Sequence, residues 1–144
     1  MTATHEEALR DALAAGAVAA IVSGAPSTLH ALVTGGRPLE ASLAAGTLVL
    51  AGERRRGRLL LAATGVHIVL SLGWALVLTT ILPRRRTPCF GALAGLAIAG
   101  LDLGVVGQRI DRIRRLPQAP QVADHLAYGA TVGAVLSVRR SRRR

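Results

Sequence analysis

LLLAATGVHIVLSLGWALVLTTIL, residues Leu59 to Leu82, decides the fold class: twenty-four residues pass without a charged Arg, Lys, Asp or Glu. About 20 apolar residues let a helix cross the hydrocarbon core of a bilayer. Three further stretches are read by the same measure. Ala12 to Val33 precedes it, Ala-rich and only moderately apolar; Cys89 to Val106 follows and contains Asp102; Val122 to Val138 is short and carries Asp124 and His125 near its start. The reading is an all-α protein, an integral membrane four-helix bundle. It forms a single membrane domain over 1–144, with spans at about 12–33, 59–82, 89–106 and 122–138 and a basic tail at 139–144.

The connections support these breaks. Between the first two spans lies GGRPLEASLAAGTLVLAGERRRGR (35–58), in which Pro38 suits a helix start and Gly52 a helix end. Its apolar part, Leu39 to Ala51, is too short to span, so a short interfacial or re-entrant helix is expected there; a loop helix packed on the bundle fits equally. Pro83 and Pro88 bracket RRRT between the second and third spans, and Pro117 and Pro120 break the chain before the fourth. The N-terminus, MTATHEEALRD, has no basic region ahead of its apolar run, so the first span is expected to stay in the mature protein.

Composition narrows the class. Apolar residues make up 51% of the chain, yet Trp74, Tyr128 and Phe90 are its only aromatics, fewer than a soluble core this size would use. All eighteen basic residues are Arg, and neither Lys nor Asn occurs, a bias that suits GC-rich coding. The net charge of +10 is concentrated in clusters that punctuate apolar segments, which favours a bilayer carrying anionic lipids over nucleic acid. The arginines also lack interleaved aromatics, so no nucleic-acid partner is expected. Cys89, the single cysteine, excludes an internal disulfide.

Small residues recur at four-residue spacing: Gly16, Ala20 and Gly24; Gly91 and Gly95; Gly100 and Gly104; Gly129 and Gly133. In lipid such faces let helix backbones approach closely, so they are read as packing surfaces. Four spans put both termini on one side, here called A. Arginines then divide nine to nine between A and the opposite side B, so the positive-inside rule gives no orientation. The RRSRRR tail favours A as the cytoplasmic face. The balance also permits dual insertion and an antiparallel homodimer.

Counting helical rise, every His and Asp within the spans falls in the B-side half. His30 lies near the end of span one, His67 about two turns into span two, and Asp102 within the last turns of span three. Asp124, His125 and Tyr128 lie at the start of span four. Ser23, Pro26, Ser27 and His30 share one helical stripe, and Pro26 is expected to kink the helix and turn that stripe inward. These six residues, Asp102, His67, His30, Asp124, His125 and Tyr128, are the candidate polar pocket. Asp102 and His67 are expected to pair, on the view that spans two and three are adjacent. An intramembrane acid is a functional-site hypothesis by default, though Asp102 neutralised by Arg109 is an equally simple reading. No HExxH-like spacing supports a metal, no phosphate loop or dinucleotide fingerprint occurs, and no cofactor is expected.

GAPSTLHALVTGGRPLEASLAAG (24–46) and LPQAPQVADHLAYGATVGAVL (116–136) resemble uncharacterised small multi-span membrane proteins of actinobacteria. The resemblance implies a multi-pass protein of the cell membrane and carries no activity with it. From the residues, the leading function is binding or moving a small solute, proton or lipid headgroup at the polar layer. The alternatives are a non-catalytic accessory subunit packed on a partner membrane protein, and a membrane enzyme acting on a lipid-linked substrate. The sequence favours a non-enzymatic role.

Overall fold

The computed structural model describes residues 2–143 and is helical, with no strand among them. In order they are α1 (Thr2–Val22), α2 (Ala25–Val33), α3 (Glu40–Gly46), α4 (Arg56–Ile81) and α5 (Thr87–Leu101). A π-helical turn (Asp102–Val106) and a 3₁₀ turn (Gly107–Arg109) extend α5; α6 (Asp111–Arg114) and α7 (Gln118–Ser141) follow. Three helical segments are long and apolar enough to cross a membrane: His5–Val33, Arg56–Ile81 and Thr87–Arg109. The fourth expected span falls on α7, which has the length, at 24 residues, but does not reach that apolar threshold.

Side-chain distribution runs opposite to that of a water-soluble core. Small and polar side chains take much of the interior: Ala12, Ala15, Ala19, Ala75, Ser23, Ser71 and Thr87 are buried beside larger residues such as Leu59, Leu78, Ile98, Val132 and Leu136. Large aliphatics face outward, with Ile21 84% exposed, Leu61 76% and Val69 69%. In water such a surface would be an aggregation hazard. Against lipid it costs nothing, and small interior faces are what bring helices together there.

The tightest junction joins α5 and α7. Gly91 and Gly95 face Gly129 and Gly133 so closely that a Cβ on any of the four would run into backbone of the other helix. The two glycine rows read from the sequence thus meet each other. Gly16 packs against Ser71, Leu72 and Ala75 of α4. By contrast, Gly24, Gly100 and Gly104 have open space where a Cβ would be.

This junction corrects one expectation. Spans two and three do not pack as neighbours, although only residues 82–86 link α4 to α5. The helices lie in the order α4, α1, α7, α5, with α7 reaching α4 through Tyr128 and, at its C-terminal end, Arg140. The physical reason is surface shape. The glycine rows allow backbone contact between α5 and α7, which the Leu, Ile and Val face of α4 cannot match.

Both ends of the stack are fastened by ion pairs. On side A, the buried Asp11 carboxylate of α1 accepts from Arg139 Nε at 2.5 Å and from Arg143 at 2.7 and 2.9 Å. Arg140 donates to the carbonyls of Thr79 and Leu82 at the end of α4, satisfying acceptors that a helix end leaves open. Part of the expected basic tail is therefore a clamp between helix ends. On side B, α3 is the short helix expected between spans one and two; Gly46 lies against the Leu59 carbonyl of α4. Glu40 of α3 holds Arg112 of α6 at 2.8 Å.

Candidate functional site

The stretch GAPSTLHAL is a helix break, and the break gives the Asp124 carboxylate of α7 a partner. α1 stops at Val22, and α2 restarts after Gly24 with Pro26 in its first turn. A helix start inside a low-dielectric layer exposes backbone N–H groups, and each needs an acceptor. Pro26 has none to satisfy. Ser27 N–H finds Asp124 Oδ1 of α7 at 2.8 Å, so the carboxylate caps α2 from a different helix.

Next to Asp124 on α7, His125 bridges α7 and the end of α5. Its Nδ1 faces the Gln121 carbonyl at 2.8 Å, and its Nε2 faces Asp102 Oδ2 at 3.3 Å. A carbonyl can only accept, so Nδ1 carries hydrogen. Nε2 then has two options. It accepts a hydrogen bond from a protonated Asp102, or it donates to an ionised Asp102 as imidazolium. Both side chains are about a quarter exposed, at 22% and 28%.

Asp102 opens the π-helical turn, whose Gly107 N–H reaches back to the Asp102 carbonyl. Isolated π turns are uncommon and recur at functional sites, because the extra residue re-aims the side chains around it. A Cβ on Gly107 would approach that carbonyl to 2.9 Å, so the turn also needs its glycine.

The remaining candidates divide. His67 is exposed on α4 and donates from Nε2 to the Ala20 carbonyl of α1 at 2.8 Å. It does not pair with Asp102, as the separation of α4 from α5 requires; instead it lies within electrostatic range of Asp124. Tyr128 is buried and its hydroxyl donates to the Ser71 carbonyl of α4. His30 stands on α2 beyond the cap; Thr34 N–H and its hydroxyl both donate to the His30 carbonyl, and no side-chain partner for its ring is seen among the described residues. Arg109 is likewise not a partner of Asp102 among the described residues. The structure brings Asp102, Asp124 and His125 together, with His67 at their edge and His30 apart.

Among the described residues no group of three or more His, Cys, Asp or Glu side chains is placed to hold a metal ion. No buried side-chain nitrogen or oxygen in the described residues lacks a hydrogen-bond partner. Sequence reasoning missed the Asp11 clamp and the Glu40–Arg112 pair. Both had a signal: in a four-span topology each acid lies on the same side as the arginine cluster that holds it. No family model, curated protein or solved structure matches the chain.

Proposed function

We propose that this is a multi-pass protein of the cell membrane, a four-helix bundle in which α7 crosses with the three more apolar segments. Its B-side Asp102–His125–Asp124 cluster takes up and passes a proton or a small protonated solute. The observation that carries the reading is the 3.3 Å contact between His125 Nε2 of α7 and Asp102 Oδ2 at the end of α5, beside a second carboxylate, Asp124. A proton held between two bases of different helices exchanges at little electrostatic cost, because the pair stays neutral in both forms. The π turn at Asp102 supports the same reading, since it sets the carboxylate at a break in the helix.

Proteoliposomes carrying an internal pH dye test it. Under an imposed membrane potential the wild type is expected to acidify or alkalinise the lumen faster than empty liposomes, and Asp102→Asn to remove the difference. Wild-type vesicles as tight as empty ones would end the transport reading. A second reading, an accessory subunit, is favoured by Gly100 at the end of α5 and Gly104 in the π turn, both with open space where a Cβ would be, as on a helix-packing surface. Co-purification of a partner lost in Gly100→Leu would support that role.

A further inference from the structure

An open cleft lies away from the His/Asp cluster, at the side-B end where α3, α4 and α6 meet the turn after α2. It has a volume of about 430 Å³ and is lined by Arg37, Arg56, Arg112, Glu40, Leu39 and Leu43, among others. Gly35, at φ +70°, ends α2 in a left-handed turn, and this turn delivers Arg37 to the cleft. Leu43 is buried and forms part of the floor.

Charge in the cleft is unbalanced. Arg112 is held by Glu40 through Nε at 3.0 Å and Nη2 at 2.8 Å, which fixes its guanidinium plane. Arg37 and Arg56 are exposed and have no acidic partner within ion-pair distance among the described residues. Three guanidinium groups therefore face one carboxylate. A neighbouring cleft of about 350 Å³ on the Asp111 and Arg115 side is balanced, two arginines against two acids. The first cleft is the electropositive one.

Its place at the membrane surface adds a second constraint. Leu39 at the rim is 50% exposed, and Leu61, further along α4, is 76% exposed on the lipid-facing surface. An anionic group in the cleft would have an apolar surface running away from it toward the bilayer core. Guanidinium groups bind phosphate oxygens through charge-assisted, often paired hydrogen bonds.

We infer that this cleft is a phosphate-binding site, formed by Arg37 and Arg56 with Arg112 pre-oriented by Glu40, for a phosphate-bearing anion at the membrane surface. Two sources share that chemistry: the headgroup of an anionic phospholipid and a free phosphate. The site is separate from the proton cluster and stands whether or not protons move there.

The test uses the full chain in a non-ionic detergent, titrated calorimetrically with three probes: inorganic phosphate, dihexanoyl phosphatidylglycerol and dihexanoylglycerol. Phosphatidylglycerol binding with phosphate alone inert assigns a lipid headgroup. Equal binding of both assigns a free anion. In either case the Arg37→Gln/Arg56→Gln double variant is expected to bind at least tenfold more weakly, the loss that follows from removing charge-assisted hydrogen bonds. Both residues are exposed, so helicity and elution volume should be unchanged in the variant. Dihexanoylglycerol binding as well as phosphatidylglycerol, absence of binding by both phosphate probes, or a double variant with wild-type affinity would each overturn the inference.

Discussion

A single methyl group at Gly95 should open the tightest contact in the molecule. A Cβ there would overlap the His125 carbonyl oxygen and lie 2.9 Å from its carbon and 3.3 Å from Gly129 N. All three are backbone atoms, so no rotamer change relieves the clash. The helices must part by about 1 Å before the carbon–oxygen separation returns to an ordinary ~3.3 Å. A gap of that size forfeits between a quarter and a half of the dispersion well along the seam. Gly91, Gly129 and Gly133 share the seam, and the 3.3 Å Asp102–His125 contact would lengthen with it. Overpacking costs 1–3 kcal/mol as a rule, and the shared backbone contact puts Gly95→Ala at about 3 kcal/mol of destabilisation. Gly73 of α4 supplies the control, because its Cβ would meet nothing within 4 Å. Gly73→Ala should gain up to about 1 kcal/mol from helix propensity. Reversible unfolding in mixed micelles, followed through Trp74, the only tryptophan, reads both variants. Equal midpoints for the two would refute the close α5–α7 packing.

Three further outcomes are expected. Asp11→Ala removes the carboxylate that holds Arg139 and Arg143, and should cost about 2 kcal/mol in the same unfolding assay, less than a fully buried pair because Arg139 can rehydrate; Glu6→Ala, whose pair with Arg10 is exposed and 3.9 Å long, should cost under about 0.5 kcal/mol. Tyr128→Phe deletes the hydroxyl bond to the Ser71 carbonyl and should cost about 1 kcal/mol, with helicity by circular dichroism unchanged. Glu53, on the loop before α4, accepts from the N–H groups of Arg55 and Arg54, which hold its carboxyl below the usual glutamate range. Its contribution to holding the loop is therefore present above the unfolded pKa and lost as pH falls through the folded one, so an NMR titration should show Glu53 protonating below the usual glutamate range.

That the chain has helices long and apolar enough to cross a membrane was legible because it is a one-dimensional signal. Uncharged runs of sufficient length mark helices able to cross a bilayer, and 59–82 is such a run without reference to any other residue. The glycine rows of α5 and α7 could also be read as packing faces, since four-residue spacing puts them on one side of a helix. Which row meets which could not be read, because that depends on shape complementarity between helices and not on chain order. The short link 82–86 suggested adjacency for α4 and α5, and closer packing elsewhere prevailed. The expected Asp102–His67 pair depended on that adjacency. Depth along the helix was the better guide: it put Asp102, Asp124 and His125 in one layer, where the structure joins two of them directly. The acceptor role of Asp124 was hidden for a different reason. A backbone N–H at Ser27 becomes a partner only once the helix has broken at Ser23 and Gly24.

The helix α7 is the least apolar of the long helices, and it carries Asp124 and His125 of the proposed proton site. Sided labelling with an impermeant maleimide, in right-side-out and inverted membrane vesicles, tests directly whether it crosses the bilayer. In a Cys89→Ser background, single substitutions Ala51→Cys, Ala119→Cys and Ser141→Cys report on three exposed positions, with native Cys89 as the side-A reference. If α7 crosses the bilayer, Ala119→Cys reacts from the same face as Ala51→Cys, and Ser141→Cys from the same face as Cys89. Labelling of Ala119→Cys and Ser141→Cys from one face would place α7 outside the bilayer and put the Asp102–His125–Asp124 cluster in water.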